Sequence, residues 1–339
     1  MKAPARFDVQ SRSARPVVTR RAAIAALCAI TALAASASFG QTAELPAVIK
    51  IVVPFATGGS NDISARMIAK LITARTGKNV IVENRPGASG FIGAAVVARS
   101  PKDGSVLLLS SSSMITAAAT KGNPSVDILR ELSPVSILSD SPLLVIVNAE
   151  SPIRTPADLL AAARAKPDTL TNGTPGLGTI AHLTGELINE TAKVQLRHIP
   201  YQGGSPAMID LLAGRIDINV VSNSSTAAQV AQGKLRPIAV TSANPSPAFP
   251  GVPTMATVIP GFEVDQWQAV WAPAGTPPAI IDKLNREIND IMKTPDFAPL
   301  LREDGGVPRA LTPAQADAKV RASFEQWRNL AKNKNIVVD

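Results

Sequence analysis

Short β-branched segments alternate with helical segments along most of this 339-residue chain, and this alternation limits the fold more than any other feature. The run 48–53, Val-Ile-Lys-Ile-Val-Val, is typical of a buried strand. The next segment, 61–76, has apolar residues spaced as on one face of a helix and ends before Gly77. Repeated units of this kind predict an α/β fold with mostly parallel sheets flanked by helices.

The same alternation predicts the later elements. Further strands are predicted at 79–82, 106–110, 170–172, 194–199, 216–221 and 235–241. Further helices are predicted at 91–99, 156–165, 179–190, 204–213, 224–231, 277–293 and 312–333.

Two extended segments interrupt the rhythm and indicate two lobes. Residues 143–148 and 262–271 each lead into a turn that contains proline, and they are far apart in sequence. If both are chain crossings, residues 144–262 form one lobe, and 44–143 together with 263–339 form the other. A ligand cleft is then expected between the lobes.

The first 37 residues have the composition of an export signal. Basic residues through Arg21 precede an apolar run that ends in Ala35-Ser36-Ala37, which is the order found in a cleavable signal peptide. The run is shorter than the roughly 20 residues of a spanning helix, although an uncleaved anchor stays open. Thr19-Arg20-Arg21 leaves twin-arginine export open, and cleavage after Gly40 is a second option.

Net charge argues against a nucleic-acid surface once this signal is set apart. The formal charge is +8, but residues 1–37 contribute +5 of it. A domain that binds DNA or RNA needs a basic face on its folded part. The only cysteine, Cys28, lies within the signal, so the mature chain has no disulfide and no thiolate. We predict a periplasmic protein.

Two glycine-rich turns carry the clearest chemistry. Residues 54–62 and 172–179 each connect a predicted strand to a predicted helix. Glycine lets a ligand approach backbone N–H groups, and a helix start adds unpaired donors and a positive dipole end. Each turn therefore predicts an anion site without Lys or Arg, with simple turn and cap roles as the alternative. Hydroxyl groups that can add donors belong to Ser60, Thr174 and Thr179.

Three more residues follow predicted strands and are candidates for the cleft lining. These are Ser113, Tyr201 and Ser222. For Ser113 a plain loop, and for Tyr201 core packing, are the alternatives.

Enzyme chemistry is poorly supported by the remaining residues. Ser60 or Ser89, together with two histidines, leaves a serine hydrolase as an alternative, but the chain lacks G-x-S-x-G and Ser-x-x-Lys. His182 and Glu186 are one helical turn apart without a third metal ligand in view. We expect no catalytic residue, no cofactor and no metal.

An ordered set of short stretches resembles one receptor family. The stretches are 53–62 (Val-Pro-Phe-Ala-Thr-Gly-Gly-Ser-Asn-Asp), 82–90, 172–179, 182–183, 198–207, 210–217, 235–242, 250–254 and 271–277. Together they resemble the extracytoplasmic receptors of tripartite tricarboxylate transporters, often called Bug receptors. The set covers nearly all of the mature chain. One stretch departs from the family pattern, because 125–135 lacks its aromatic residues.

The resemblance implies a fold, a ligand class and partners. It implies a type II periplasmic-binding-protein fold that closes on a small carboxylate, and delivery to a permease of one large and one small membrane subunit. A monomer is expected, and a ligand-dependent sensor is an alternative role. Carried over to this sequence, the resemblance nominates as ligand-binding residues Phe55, Gly58, Gly59, Ser60 and Asn61 in one lobe, and Asn172, Thr174, Gly176, Gly178 and Thr179 in the other.

Overall fold

The computed structural model describes residues 44–338 apart from Ala56, Gly59, Asn123, Gln202, Gly203 and Asp304. The predicted signal peptide, 1–37, and the nominated Gly59 lie outside the described residues. Within the described part, none of the helices combines the length and the apolar character that crossing a membrane requires.

Eleven strands in the described residues form two sheets. The strands are β1 (Val48–Val53), β2 (Asn79–Asn84), β3 (Val106–Ser111), β4 (Leu132–Pro142), β5 (Leu144–Asn148), β6 (Thr171–Thr174), β7 (Arg197–Pro200), β8 (Ile218–Val221), β9 (Leu235–Val240), β10 (Asp265–Pro273) and β11 (Val307–Pro308). The order is β11-β4-β10-β3-β1-β2 in the first sheet and β7-β6-β8-β5-β9 in the second.

Helices pack against both sheets. They are α1 (Ser60–Thr76), α2 (Phe91–Ala98), α3 (Ser112–Thr120), α4 (Ile128–Glu131), α5 (Pro156–Ala165), α6 (Ile180–Ala192), α7 (Gly204–Leu212), α8 (Ala227–Ala231), α9 (Pro278–Met292), α10 (Ala298–Glu303) and α11 (Pro313–Asn333). We call the first sheet with its helices the first lobe, and the second sheet with its helices the second lobe.

The sheets are mixed, which differs from the predicted mostly parallel arrangement. β1 runs parallel to β2 and β3, and β6 runs parallel to β7 and β8. By contrast, β10 lies antiparallel to both β3 and β4, and β5 lies antiparallel to β8 and β9. Two parallel neighbours in a sheet require a crossover connection. The long strands β4 and β10 pair antiparallel with each other and need none.

The chain passes between the sheets twice, and Thr241 ties the two passages together. Only Leu143 separates β4 in the first sheet from β5 in the second. The fully buried Thr241 Oγ1 accepts a hydrogen bond from the Leu143 N–H at 2.8 Å and donates one to the Val264 C=O at 2.6 Å. Its own N–H donates to the Leu143 C=O, and its C=O accepts from the Val264 N–H. A single side chain thus fixes the spacing of the two crossings.

We expect Thr241→Val to lower the free energy of unfolding by about 2 kcal/mol, because a buried N–H and a buried C=O lose their partner. Urea denaturation measures this difference. Thr191→Val is the matched control, since the exposed Thr191 hydroxyl donates only to the Leu187 C=O within its own helix. Equal stability of both variants would show that the hydroxyl does not brace the crossings.

One apolar cluster extends through both lobes. It includes Leu108 of β3 and Val220 of β8, both essentially fully buried. Met114 on α3, Leu183 on α6 and Trp327 on α11 belong to the same cluster. α11 packs against α3 and α6, and α3 also packs against α6. The lobes therefore share a core in addition to the two chain crossings.

Candidate functional site

A cleft of about 990 Å³ is lined by residues of both lobes. Phe55 and Ser113 contribute from the first lobe, and Gly178 and Thr179 contribute from the second. A smaller cavity of about 300 Å³ adjoins it, since both are lined by Ser222, Ser225 and Gln266.

The structure separates the nominated residues into three groups. Phe55, Ser113, Gly178, Thr179 and Ser222 line the larger cleft. Gly58 and Ser60 line the smaller cavity, together with Ser222. Asn61, Asn172, Thr174, Gly176 and Tyr201 are not among the residues that line either space. The two glycine-rich turns therefore face adjoining cavities, and Phe55 is the member of the first turn on the larger cleft.

The first turn is held by the buried carboxylate of Asp62. Its Oδ2 accepts from the Gly58 N–H at 2.9 Å and from Arg66 Nε at 2.9 Å. Its Oδ1 accepts from Asn84 Nδ2 at 3.0 Å, and the same amide group donates to the Phe55 C=O at 3.2 Å. The bond to Arg66 holds the pKa of Asp62 below its usual range, with the Gly58 and Asn84 bonds acting in the same direction. The Gly58 amide is thus occupied by the chain itself and not open to a ligand.

The second turn is capped in a different way. Thr179 Oγ1 donates to the Gly176 C=O at 2.8 Å and accepts from the His182 N–H at 3.4 Å, so it is the N-cap of α6. The Gly178 N–H donates to His182 Nδ1 at 3.2 Å. The first backbone bond of the helix joins the Leu183 N–H to the Thr179 C=O. The N–H groups of the first turn of α6 therefore lie ahead of the helical ladder and have no partner within it.

Two of these first-turn residues line the larger cleft. Ile180 and Ala181 are both among its lining residues. The sequence nominated Gly178 and Thr179 in this turn together with the unpaired N–H donors of the helix start, and the structure uses the Gly178 N–H and the Thr179 hydroxyl internally. The amides left over at a helix N-terminus are those just after the cap, so the helix start remains the predicted anion site of this turn.

Two stacked histidines support the second turn. The rings of His182 and His198 lie 3.8 Å apart at an angle of 21°. His198 Nε2 lies 2.6 Å from Thr174 Oγ1, so that hydroxyl contacts the histidine and not the cleft. Burial lowers the pKa of His182 to about 4, with the neighbouring His198 adding to the shift, and burial lowers the pKa of His198 to about 4. At neutral pH an uncharged His182 accepts the Gly178 bond.

Tyr201 packs beside the second sheet. Its hydroxyl donates to Asp210 Oδ2 at 2.7 Å, and its ring joins a satellite apolar cluster with Ile216 and Leu211. Asn172 and Asn61 are also buried, at 2% and 8% exposure. The contacts of Tyr201 agree with core packing, which was the alternative to a cleft role for that residue.

The lobes meet closely at Gly178. This residue has φ +71°, a conformation that favours glycine. A Cβ there would lie 2.8 Å from Thr120 Oγ1 and 2.8 Å from Val338 Cγ2, both in the first-lobe part of the chain. A side chain at 178 would thus push the second turn away from the end of α3.

Helix α3 and the residue that follows it were missed by sequence reasoning. The sequence left Ser113 open between a cleft donor and a plain loop, and the structure shows that Ser112 begins a helix. This helix brings Ser113, Ala117 and Thr120 to the cleft, followed by Lys121. Apolar residues at 114, 115 and 118 repeat with helical spacing and would have predicted it. Among the described residues that line the two spaces, Lys121 is the only charged one.

Much of the remaining cleft wall is apolar. Phe91 and Leu143 line it from the side of the first lobe and the crossing. Met208, Leu212 and Val220 line it from the second lobe. Such a space suits a ligand with a hydrocarbon body and a small number of polar groups.

Comparisons with known proteins identify the family. The model of the tripartite tricarboxylate transporter family receptor matches residues 64–336. BugT of Bordetella pertussis (strain Tohama I) is 35% identical over 287 residues, which are 84% of this chain and 88% of that protein.

Solved structures give the same result. Rpa4515 of R. palustris, solved with adipate, is 31% identical with a TM-score of 0.74, over 86% of this chain and 98% of that one. MatC of Rhodopseudomonas palustris, solved with malate, is 26% identical with a TM-score of 0.69, over 84% of this chain and 98% of that one. The predicted two-lobed α/β binding-protein fold and the resemblance to Bug receptors are thereby confirmed. The chain belongs to the tripartite tricarboxylate transporter receptor family, whose members are periplasmic solute-binding receptors.

Proposed function

We propose that this receptor captures a small carboxylate in the cleft between its lobes and delivers it to the large and small membrane subunits of a tripartite tricarboxylate transporter. The observation that carries the proposal is the start of α6, where Ile180 and Ala181 line the cleft ahead of the first helical hydrogen bond. Such amides bind anions without a basic side chain. Two relatives with the same fold were solved with adipate and with malate, which are both carboxylates.

Export and lobe organisation complete the proposal. Residues 1–37 serve as a cleaved signal peptide that directs the chain to the periplasm, where it acts as a monomer. The lobes correspond to 44–143 with 263–339 and to 144–262. The passage from β4 to β5 at Leu143 supports the first boundary, and the return through Val264 to β10 supports the second.

Ligand capture works by stabilising the closed arrangement of the lobes. A carboxylate on the first turn of α6 contacts the second lobe, and Phe55 and Ser113 reach it from the first lobe. A ligand that touches both lobes binds the closed form better than the open one and shifts the population towards it. Of the two nominated residues on the adjoining cavity, Ser60 offers a hydroxyl for a group that extends beyond the larger cleft, whereas the Gly58 amide is bound to Asp62.

In the competing hydrolase hypothesis the two histidines are the candidate bases, and both already have partners within the second turn. His182 accepts from the Gly178 amide, and His198 contacts Thr174. The two rings stack on each other. The binding role does not need them as bases, since there they only support the turn.

Isothermal titration calorimetry of ligand-stripped protein against C4–C8 monocarboxylates and dicarboxylates tests the proposal. Ile180→Pro removes one amide donor at the first helical position, where proline is tolerated and where Thr179 already has extended φ and ψ. We expect it to weaken carboxylate binding by about tenfold, the effect of losing one hydrogen bond to a charged group.

Ile180→Ala is the matched control, because it shortens the same side chain and keeps the amide. Comparable binding by both variants would remove this amide from the site. No heat of binding with any acid of the series would contradict the carboxylate receptor itself.

A further inference from the structure

Lys121 stands apart from the rest of the cleft lining because it brings a charge to it. Every other described residue that lines the cleft is uncharged. Lys121 is half-buried and is the C-cap of α3, where its N–H donates to the Ala117 C=O at 3.0 Å. Its backbone also forms a bridge with Val338. The residue is thus fixed through its backbone, and it lines the cleft.

The ammonium group has no anionic partner among the described residues. None of the ion pairs formed within the described part of the chain includes Lys121. The C-terminal end of a helix favours a cation, but that effect alone does not direct the side chain to a cavity. A charge on the wall of a partly apolar cleft is costly when it is unpaired, and a ligand of opposite charge supplies the pairing.

Helix α3 sets the separation between Lys121 and the polar groups at its other end. Ser113 lies in the first turn of α3, and Ala117 and Thr120 follow along the same wall before Lys121. Eight residues of helix correspond to about 12 Å. Ser89 also lines the cleft with an uncharged hydroxyl. The wall therefore offers neutral donors, an apolar middle at Ala117, and a charged end.

We infer that Lys121 is a specificity-determining residue that selects ligands with a second anionic group at a distance from the first. This inference rests on the proposed carboxylate-binding function and adds the class of acid preferred. A dicarboxylate with a hydrocarbon body places one carboxylate at the start of α6, where Ser113 reaches it, and the other beside Lys121. A monocarboxylate of the same length leaves either Lys121 or the neutral donors without a carboxylate partner.

Calorimetry with adipate and hexanoate tests the inference, because these acids have the same number of carbons and differ in one terminal carboxylate. Wild-type protein is expected to bind adipate at least about tenfold more tightly than hexanoate. Lys121→Met keeps the length of the side chain without its charge and is expected to lose about tenfold in adipate affinity. Its hexanoate affinity is expected to change by less than about twofold.

Two further variants control for structure and for general charge. Lys121→Arg keeps the charge and is expected to retain the preference for adipate. Lys166→Met removes an exposed lysine that likewise caps a helix C-terminus, that of α5, but does not line the cleft. It is expected to bind both acids as wild type does. Thermal unfolding of each variant verifies that the fold is retained.

The outcomes are distinguishable. Equal losses for adipate and hexanoate in Lys121→Met would show that Lys121 contacts the shared carboxylate, and they would overturn the selectivity inference. So would a wild-type protein that binds hexanoate as tightly as adipate. Failure of wild type to bind any C4–C8 monocarboxylate or dicarboxylate would instead overturn the proposed function, and this inference with it.

Discussion

Asp62→Ala is expected to lower the free energy of unfolding by about 2–3 kcal/mol, the range for removing a charged acceptor from its hydrogen-bond donors. The carboxylate accepts from the Gly58 N–H, from Asn84 and from Arg66, and only Arg66 is exposed enough to turn to water. Urea denaturation at pH 7.5 measures the loss. Because the first turn loses its brace, the affinity for adipate is expected to fall as well.

The effect of Asp62 should depend on pH. Interaction with Arg66 holds the pKa of Asp62 below its usual value. The carboxylate therefore stabilises the fold above the unfolded-state pKa of about 4, and this contribution is lost as the pH falls through the lower folded-state pKa. The difference between wild type and Asp62→Ala should shrink in acid. Asp290→Ala, at an exposed carboxylate paired with Lys293, should cost less than about 1 kcal/mol.

Asp265→Asn is expected to stabilise the protein at neutral pH by up to about 3 kcal/mol, following the conversion of a pKa shift into free energy. Burial, together with the nearby charge of Asp140, raises the pKa of Asp265 to about 6. Lys319 and Arg309 act in the opposite direction, and Glu263 adds to the increase. At pH 7.5 the folded protein thus holds a charged carboxylate that its surroundings disfavour.

The direction in which Asp265 changes the stability with pH follows from proton binding. A folded-state pKa above the unfolded value means that the folded protein binds more protons between about pH 4 and 6. The contribution of Asp265 to stability is complete below about pH 4 and is lost as the pH rises through about 6. Asparagine resembles the protonated form, so the variant should gain at pH 7.5 and differ little from wild type at pH 4. A gain of the same size at both values would contradict this account.

The strand–helix rhythm was sufficient to predict most of the fold. The prediction of helix 156–165 coincides with α5, and other predicted elements match within a few residues, such as 179–190 for α6. Local periodicity carries this information because it reports which face of each segment is buried. Local periodicity could not predict that β10 pairs antiparallel, since strand direction in a sheet depends on partners distant in sequence.

The site was only partly predictable for the same reason. Glycine and a helix start identify the second turn, because both are local signals. Whether a given N–H is free depends on which side chain folds back onto it, as Asp62 does for Gly58 and His182 does for Gly178. Lys121 was missed because the tertiary packing of α3 brings it to the cleft.

The apolar cluster that runs through both lobes limits how such a receptor opens. Separating the lobes fully would expose the shared surfaces of α3, α6 and α11 to water. The free-energy cost would be about 25 cal/mol for each Å² of apolar area exposed. A smaller opening movement that keeps these surfaces in contact avoids most of this cost. Because the lobes share this cluster, we expect heating to unfold them in a single cooperative transition.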